Sequence, residues 1–230
     1  MRLEVDIHKT LRSANRSFQL RVSLQSDSQR LVILGPSGAG KSLLLKAIAG
    51  LMRPDQGLVR VGGVTLFDSA ARLDLPPRRR QLAYLFQDYA LFPHLNVRQN
   101  IAFGLRRGWL NPRPGANEPV VERWLDAFQL RAVAEQLPAE LSGGQRQRTA
   151  LARALVAEPR ALLLDESFSA LDAQLRTHMR RELDALQRSL GVPMLLITHD
   201  PEDAELLGDE VVQLRDGALV DAEESFHGPD

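Results

Sequence analysis

No cysteine occurs among the 230 residues. Its absence excludes disulfides, cysteine nucleophiles and cysteine-ligated metals, and it agrees with a reducing compartment. Net charge is also missing: 29 basic residues are scattered among 29 acidic ones, so the chain lacks the overall electrostatic footprint of a nucleic-acid or membrane-surface binder. No window approaches the roughly 18 consecutive apolar residues of a transmembrane helix. The opening MRLEVDIHKT has no apolar stretch of the secretory kind, so the chain is expected to stay in the cytosol. There is no internal repeat and no low-complexity tract. Lysine is nearly absent too, with Lys9, Lys41 and Lys46 standing against 26 arginines. A lysine in a chemically meaningful slot is then less easily an accident.

What is present suffices for one substantial core or two small ones, at 44% hydrophobic and 25% charged residues. Short apolar runs bounded by turn residues recur at 31–34, 82–86, 161–164 and 194–198, and each reads as a buried strand. Helical stretches follow three of them. One starts at Lys41 and ends at Gly50; another runs over 172–190 and ends at Gly191, with Pro193 just beyond. Alternating strand and helix implies an α/β fold with a parallel sheet. Two pieces differ: 58–66 around Gly62-Gly63 and 211–220 around Asp216-Gly217, where paired turn residues between alternating strands predict hairpins and thus appended antiparallel sheet. Residues 88–150 hold a helical stretch at 118–130 and the turn-rich NPRPGANEP, with no convincing buried strand, and read as a mostly helical insert.

Two glycine loops stand about a hundred residues apart. The first, Gly35-Pro36-Ser37-Gly38-Ala39-Gly40-Lys41-Ser42, follows the strand LVIL and opens a helix, the context a phosphate-binding P-loop requires. Glycines let successive N–H groups point inward, and the helix N-terminus adds partial positive charge. Lys41 reaches the β- and γ-phosphates of a nucleotide, and Ser42 offers its hydroxyl to Mg²⁺. Such a site also needs an acid at the end of a neighbouring strand. ALLLDES supplies Asp165 to hold the metal through water, and Glu166 to polarise the attacking water as general base. Taken alone, the acid pair could equally cap a strand end.

The second loop, LSGGQRQR at 141–148, completes a pattern that resembles the ATP-binding cassette ATPases, the motor subunits of membrane transporters, over nearly the whole chain. In that resemblance Gln87 of YLFQD matches the Q-loop glutamine, Ser169-Ala170-Leu171-Asp172 the D-loop, and His199 of ITHD the switch histidine. Individually these are weak: Ser142 and Gln145 fit a local capping box, and a lone glutamine or histidine is usually a polar cap. Their order is what carries the likeness. It implies a RecA-like P-loop NTPase core with a parallel sheet (1–87 and 151–220), an antiparallel β subdomain within it, a helical subdomain (88–150) and a tail (221–230). It also implies ATP and Mg²⁺, with Ser42, Gln87 and Asp165 at the metal and Glu166, His199 and Gln87 in catalysis. A second copy would pack head to tail, so that Ser142, Gly143, Gly144, Gln145 and Asp172 close on the nucleotide held by the P-loop of its partner. Permease subunits in the membrane, and through them a substrate-binding protein, would be the remaining partners. Nucleic acid would not. The chain is thereby placed in the cytoplasm, peripheral on the inner face of the membrane. An exposed Tyr89-Leu91-Phe92 cluster after Gln87 is the expected socket for a permease helix.

Departures from the family pattern are equally specific. HKTLRSANR holds no aromatic residue to stack on adenine, Phe18 comes later than expected, and Arg12 or Leu11 could serve instead. Ser167 stands where the family usually has proline. Importer subunits of this type often continue into a C-terminal β domain, whereas here the sequence ends in DAEESFHGPD. The stretch LDLPPRRRQLAYLFQDYALFPHLNVRQNIAFGL resembles ATPases importing molybdate, sulfate and related anions, and shares much with those for iron, polyamines and sugars. Molybdate is the first expectation for cargo. Cassette ATPases of DNA repair carry long coiled-coil insertions, and ribosomal ones carry two cassettes, which disfavours both. A P-loop kinase or GTPase has no use for LSGGQ.

Overall fold

The computed structural model describes residues 2–13, 16–105, 111–113, 118–166 and 173–220. Two long strands open the chain, β1 (Leu3–Ser13) and β2 (Arg16–Ser26), followed by β3 (Arg30–Leu34) and helix α1 (Lys41–Ala49). A meander of β4 (Gln56–Val61), β5 (Val64–Asp68) and the short β6 (Leu73–Asp74) leads through α2 (Pro77–Arg80) into β7 (Leu82–Leu85). Three helices follow, α3 (Val97–Phe103), α4 (Pro119–Ala127) and α5 (Gly143–Leu155). The chain then alternates β8 (Ala161–Asp165), α6 (Ala173–Leu190), β9 (Met194–Thr198) and α7 (Pro201–Leu207), and closes with the hairpin β10 (Glu210–Arg215) and β11 (Ala218–Val220).

Among the described residues, all eleven strands join one sheet in the order β6-β5-β4-β1-β2-β11-β10-β3-β9-β8-β7. From β10 to β7 the pairing is parallel, and from β6 to β2 it is antiparallel. The two halves meet through one parallel pair, Ala218 with Arg21, reinforced by the Arg21 N–H donating to Gly217 O at 2.7 Å. Gly217 has φ +82°, and a Cβ there would lie 1.9 Å from Gln19 O, so no other residue permits this seam.

The parallel strands are apolar on both faces because both faces are covered. Leu31, Ile33, Leu163, Leu195 and Ile197 enter one core with Leu44, Leu45 and Ile48 of α1; Val32, Leu162, Leu164, Met194 and Leu196 enter the other with residues of α3 to α7. Each such buried side chain contributes about 1.5–3 kcal/mol. The N-terminal hairpin, absent from the sequence-based expectation, follows a period of two instead: Leu3, Val5 and Ile7 face Leu20, Val22 and Leu24 inside, while Asp6 and Arg21 face water. The expected hairpins around Gly62-Gly63 and Asp216-Gly217 are β4–β5 and β10–β11. Among the described residues of 88–150 there is no strand.

Buried Arg80 fixes the far end of α1. Its Nη1 donates to Ala47 O and Ile48 O at 2.9 and 2.8 Å, its Nε to Leu75 O, and its Nη2 pairs with Asp74. A cation at a helix C-terminus meets the negative end of the dipole.

Candidate nucleotide site

Residues 35–40 leave the C-terminal end of β3 and enter α1. Gly38 and Gly40 have φ of +84° and +101°, which turns the chain sharply enough to start the helix at Lys41. Pro36, Ser37 and Gly38 are exposed, whereas Ala39 is buried and accepts from the Gly217 N–H at 2.9 Å. Lys41 is buried, and its Nζ donates to Gly35 O at 2.7 Å and Pro36 O at 3.0 Å. The ammonium therefore lies inside the loop's own curl, facing carbonyl oxygens.

Strands β8 and β9 end beside that loop. Ser42 Oγ donates to Asp165 Oδ1 at 2.9 Å, and Glu166 Oε1 lies 3.3 Å from Lys41 Nζ. The other Glu166 oxygen lies 3.4 Å from His199 Nδ1, which follows β9. Asp165, Glu166 and His199 are thus gathered with Lys41 and Ser42 at the C-terminal edge of the parallel strands, where open α/β sheets bind ligands. Glu166 itself has φ +46°, and its N–H donates to Ile197 O at 3.1 Å. The two adjacent carboxylates serve different partners, Asp165 meeting Ser42 and Glu166 meeting Lys41 and His199. Gln87 is exposed just past β7.

Two residues escaped the sequence reading. Tyr84 on β7 donates its hydroxyl to Asp165 Oδ2 at 2.5 Å, and burial, then this hydrogen bond, push its pKa up. A hydroxyl in the apolar strand LAYL was the only signal. Arg180 on α6 is buried and meets three acids of the His199 turn, Asp200, Glu202 and Asp203; Thr198 Oγ1 also donates to Asp203, at 2.5 Å. Burial alone would raise the Asp200 carboxyl, but the Glu202 N–H and Arg180 outweigh it and hold its pKa below the ordinary value.

At the second loop, Ser142 caps α5. Its Oγ accepts from the Gln145 N–H at 3.3 Å, Gln145 Oε1 accepts from the Ser142 N–H at 2.8 Å, and Gly143 and Gly144 form the first helical positions. Ser142 is exposed at the start of α5. Ser167 and the run Ser169-Ala170-Leu171-Asp172 lie outside the described residues.

The expected exposed cluster after Gln87 needs correction. Tyr89 is buried, its hydroxyl 3.4 Å from Gln147 Oε1; Leu91 and Phe92 are half-buried. Tyr89 and Ala90 both have positive φ, which swings their carbonyls onto Arg153 of α5 at 2.7 Å each, and the Arg153 guanidinium lies 5.4 Å from the Phe92 ring centre. Phe18 also takes a different place from its position in the sequence: β1–β2 pairing sets it opposite Leu11, and the missing side chain of Gly40 makes room for its ring.

The family described as ABC transporter matches residues 19–169. The molybdate/tungstate import ATP-binding protein WtpC of Archaeoglobus fulgidus is 43% identical over 205 residues, covering 89% of this chain and 81% of that one. The spermidine/putrescine import ATP-binding protein PotA of Nitratidesulfovibrio vulgaris is 41% identical over 91% of this chain, and the sulfate/thiosulfate import ATP-binding protein CysA of Synechocystis is 44% identical over 88%. The chain spans only 56% of the length of each of those two relatives. Among solved structures, an ATP-binding cassette dimer in a post-hydrolysis state bound to ADP and Pi matches with a TM-score of 0.76, at 27% identity over 95% of this chain and 97% of that one. 

Proposed function

The chain belongs to the ABC transporter family, and from that membership we propose that it is the ATP-hydrolysing motor subunit of an importer, acting as a head-to-tail homodimer beneath transmembrane permease subunits. The observation that carries this reading is the meeting of Lys41 with Glu166 at 3.3 Å while the adjacent Ser42 meets Asp165 at 2.9 Å. One loop thereby joins a phosphate-binding cation, a base and a metal-binding pair. The P-loop N–H groups and Lys41 hold the β- and γ-phosphates of ATP. Ser42 and Asp165 are hard oxygen donors with a single carboxylate between them, a set that suits Mg²⁺, which keeps several waters and shares phosphate oxygens. When bound, Mg²⁺ neutralises charge on those oxygens. Gln87 adds an amide oxygen to this set from the end of β7.

Glu166 takes the proton of the attacking water, and His199, in contact with it, orients the reacting end. Ser142, Gly143, Gly144 and Gln145 of a second copy close over the γ-phosphate, with Asp172 beside them, because a helix N-terminus binds an anion. The dimeric solved cassette supports that assembly. Loss of the shared γ-phosphate loosens the interface and gives a rigid-body opening that the permease follows. Residues 88–150 form the helical subdomain that conveys it; the rest, apart from the 221–230 tail, is the nucleotide-binding core with its antiparallel β subdomain. The subunit works peripherally on the inner membrane face, and a substrate-binding protein delivers cargo to the permease.

For cargo we propose an oxyanion, molybdate first. A relative of which this chain spans 81% of the length is named for molybdate and tungstate import. Polyamine import is the second reading, since a PotA of Escherichia coli is 45% identical over 195 residues. Uptake of labelled molybdate and of labelled spermidine, in cells deleted for the chain and complemented with it, tests both. Restoration of spermidine uptake alone would replace the cargo and leave the motor; restoration of neither by an ATPase-active chain would remove both cargoes and leave sulfate, iron or sugar import, or a non-transport cassette ATPase, as the readings.

A further inference from the structure

Asp165 has two carboxylate oxygens, and each already accepts from the protein. Ser42 Oγ donates to Oδ1 at 2.9 Å and the Tyr84 hydroxyl donates to Oδ2 at 2.5 Å. Tyr84 comes from β7, the strand next to β8, in register with Leu163. Its ring is half-buried and held against Phe86, with centroids 4.5 Å apart. A phenol hydroxyl is a hydrogen-bond donor, and here it donates to Asp165 Oδ2.

We propose that Tyr84 is a positioning residue for the divalent-cation site: its hydroxyl locks the Asp165 carboxylate so that Oδ1 stays aligned with Ser42 and the cation. The inference rests on the reading of Asp165 as a Mg²⁺ ligand. A carboxylate held by one donor can swing about its terminal torsion, which is broad. Held at both oxygens, it has one orientation. Donors behind a metal ligand fix its geometry in this way, and their removal typically lowers metal affinity or activity by about 10- to 100-fold. The effect should fall on the metal and spare the nucleotide, because Lys41 and the loop N–H groups hold phosphate independently of Asp165.

Tyr84→Phe removes one oxygen and keeps the ring, so packing against Phe86 persists. The full chain is titrated with a fluorescent ATP analogue in EDTA and at increasing Mg²⁺, and Mn²⁺ binding to the ATP complex is followed by electron paramagnetic resonance. Neither readout depends on turnover. The expected result is unchanged affinity in EDTA, a cooperatively folded chain whose melting temperature drops by no more than the loss of one hydrogen bond, and midpoints for Mg²⁺ and Mn²⁺ raised about 10-fold. Unchanged or lowered metal midpoints overturn the proposal, as does an equal loss of nucleotide affinity with and without metal. Asp165→Asn separates the layers. If it abolishes the Mg²⁺ effect while Tyr84→Phe does nothing, only the role of Tyr84 falls; if it leaves the Mg²⁺ effect intact, the ligand reading falls and takes this inference with it.

Discussion

Lys41 Nζ and Glu166 Oε1 lie 3.3 Å apart, so the proposed phosphate-binding cation and the proposed base form an ion pair. If Lys41 holds phosphate as proposed, a γ-phosphate competes with Glu166 for that ammonium. The same pair holds the base close to where the reaction takes place.

Glu166→Gln is therefore expected to bind ATP at least as tightly as the parent chain, since a competitor for Lys41 is gone. Its hydrolysis should slow by about 10²- to 10⁴-fold, the usual range for a lost general base. Phosphate release and ATP affinity, measured on one preparation, check both halves. Lys41→Ala should do the reverse, losing a charged hydrogen bond worth about 1.5–3 kcal/mol and weakening nucleotide binding first.

On the exposed start of α5, the Ser142 side chain and N–H are both engaged with Gln145 in a capping box, and the Ser142 carbonyl accepts from the Arg146 N–H. Ser142→Arg should leave ATP affinity of the isolated monomer unchanged, apart from about 1 kcal/mol of stability lost with the cap. Dimerisation with ATP and hydrolysis should both fail. A large loss of monomer affinity would sink the two-subunit explanation for the second glycine loop.

Arg180 and Asp203 form a buried pair that ties α6 to the turn carrying His199. Arg180→Met leaves buried Asp203 without its counter-ion, though the Thr198 hydroxyl still donates to it, and should cost about 3–5 kcal/mol in urea unfolding. Adding Asp203→Asn to Arg180→Met should recover part of that loss. The pH dependence follows from Asp200, whose folded pKa is depressed below 3.8. Its contribution is fully present above that ordinary value and is lost as pH falls from there through the folded value. Urea midpoints at neutral pH and near pH 3 should accordingly converge between the parent chain and Asp200→Asn at the acid end.

Burial separates Tyr89 from Leu91 in the proposed permease contact. Tyr89→Asp should unfold the segment, whereas Leu91→Asp, at a half-buried site, should keep ATPase activity and lose transport. Arg153→Ala removes both donors from the carbonyls of Tyr89 and Ala90. Transport should then fall more than hydrolysis. Equal losses in hydrolysis and transport for Leu91→Asp would move the contact elsewhere.

Residues that act within a few positions of one another were legible in the chain itself. The P-loop is a local turn whose glycines, lysine and serine need only a preceding strand and a following helix. The four buried parallel strands declared themselves as apolar runs, and Ser142 with Gln145 declared a cap. All of these depend on period and local hydrogen bonding, which a linear sequence records. The β1–β2 hairpin was legible in principle, through the alternation of Leu3, Val5 and Ile7, but the sequence between the two strands carries no Asn-Gly or Asp-Gly signal.

Tertiary structure alone decided what depends on contacts between distant segments. Phe18 seemed late in sequence, yet antiparallel pairing folds it back beside Leu11 and over Gly40. Tyr84, Arg80, Arg153 and Arg180 take their roles from partners on other elements, at separations from 5 to 81 positions. Burial of Tyr89 follows from the same cause, since the helix that covers it begins more than fifty residues downstream. Periodicity reports which face of an element is apolar, but not which distant element will cover it.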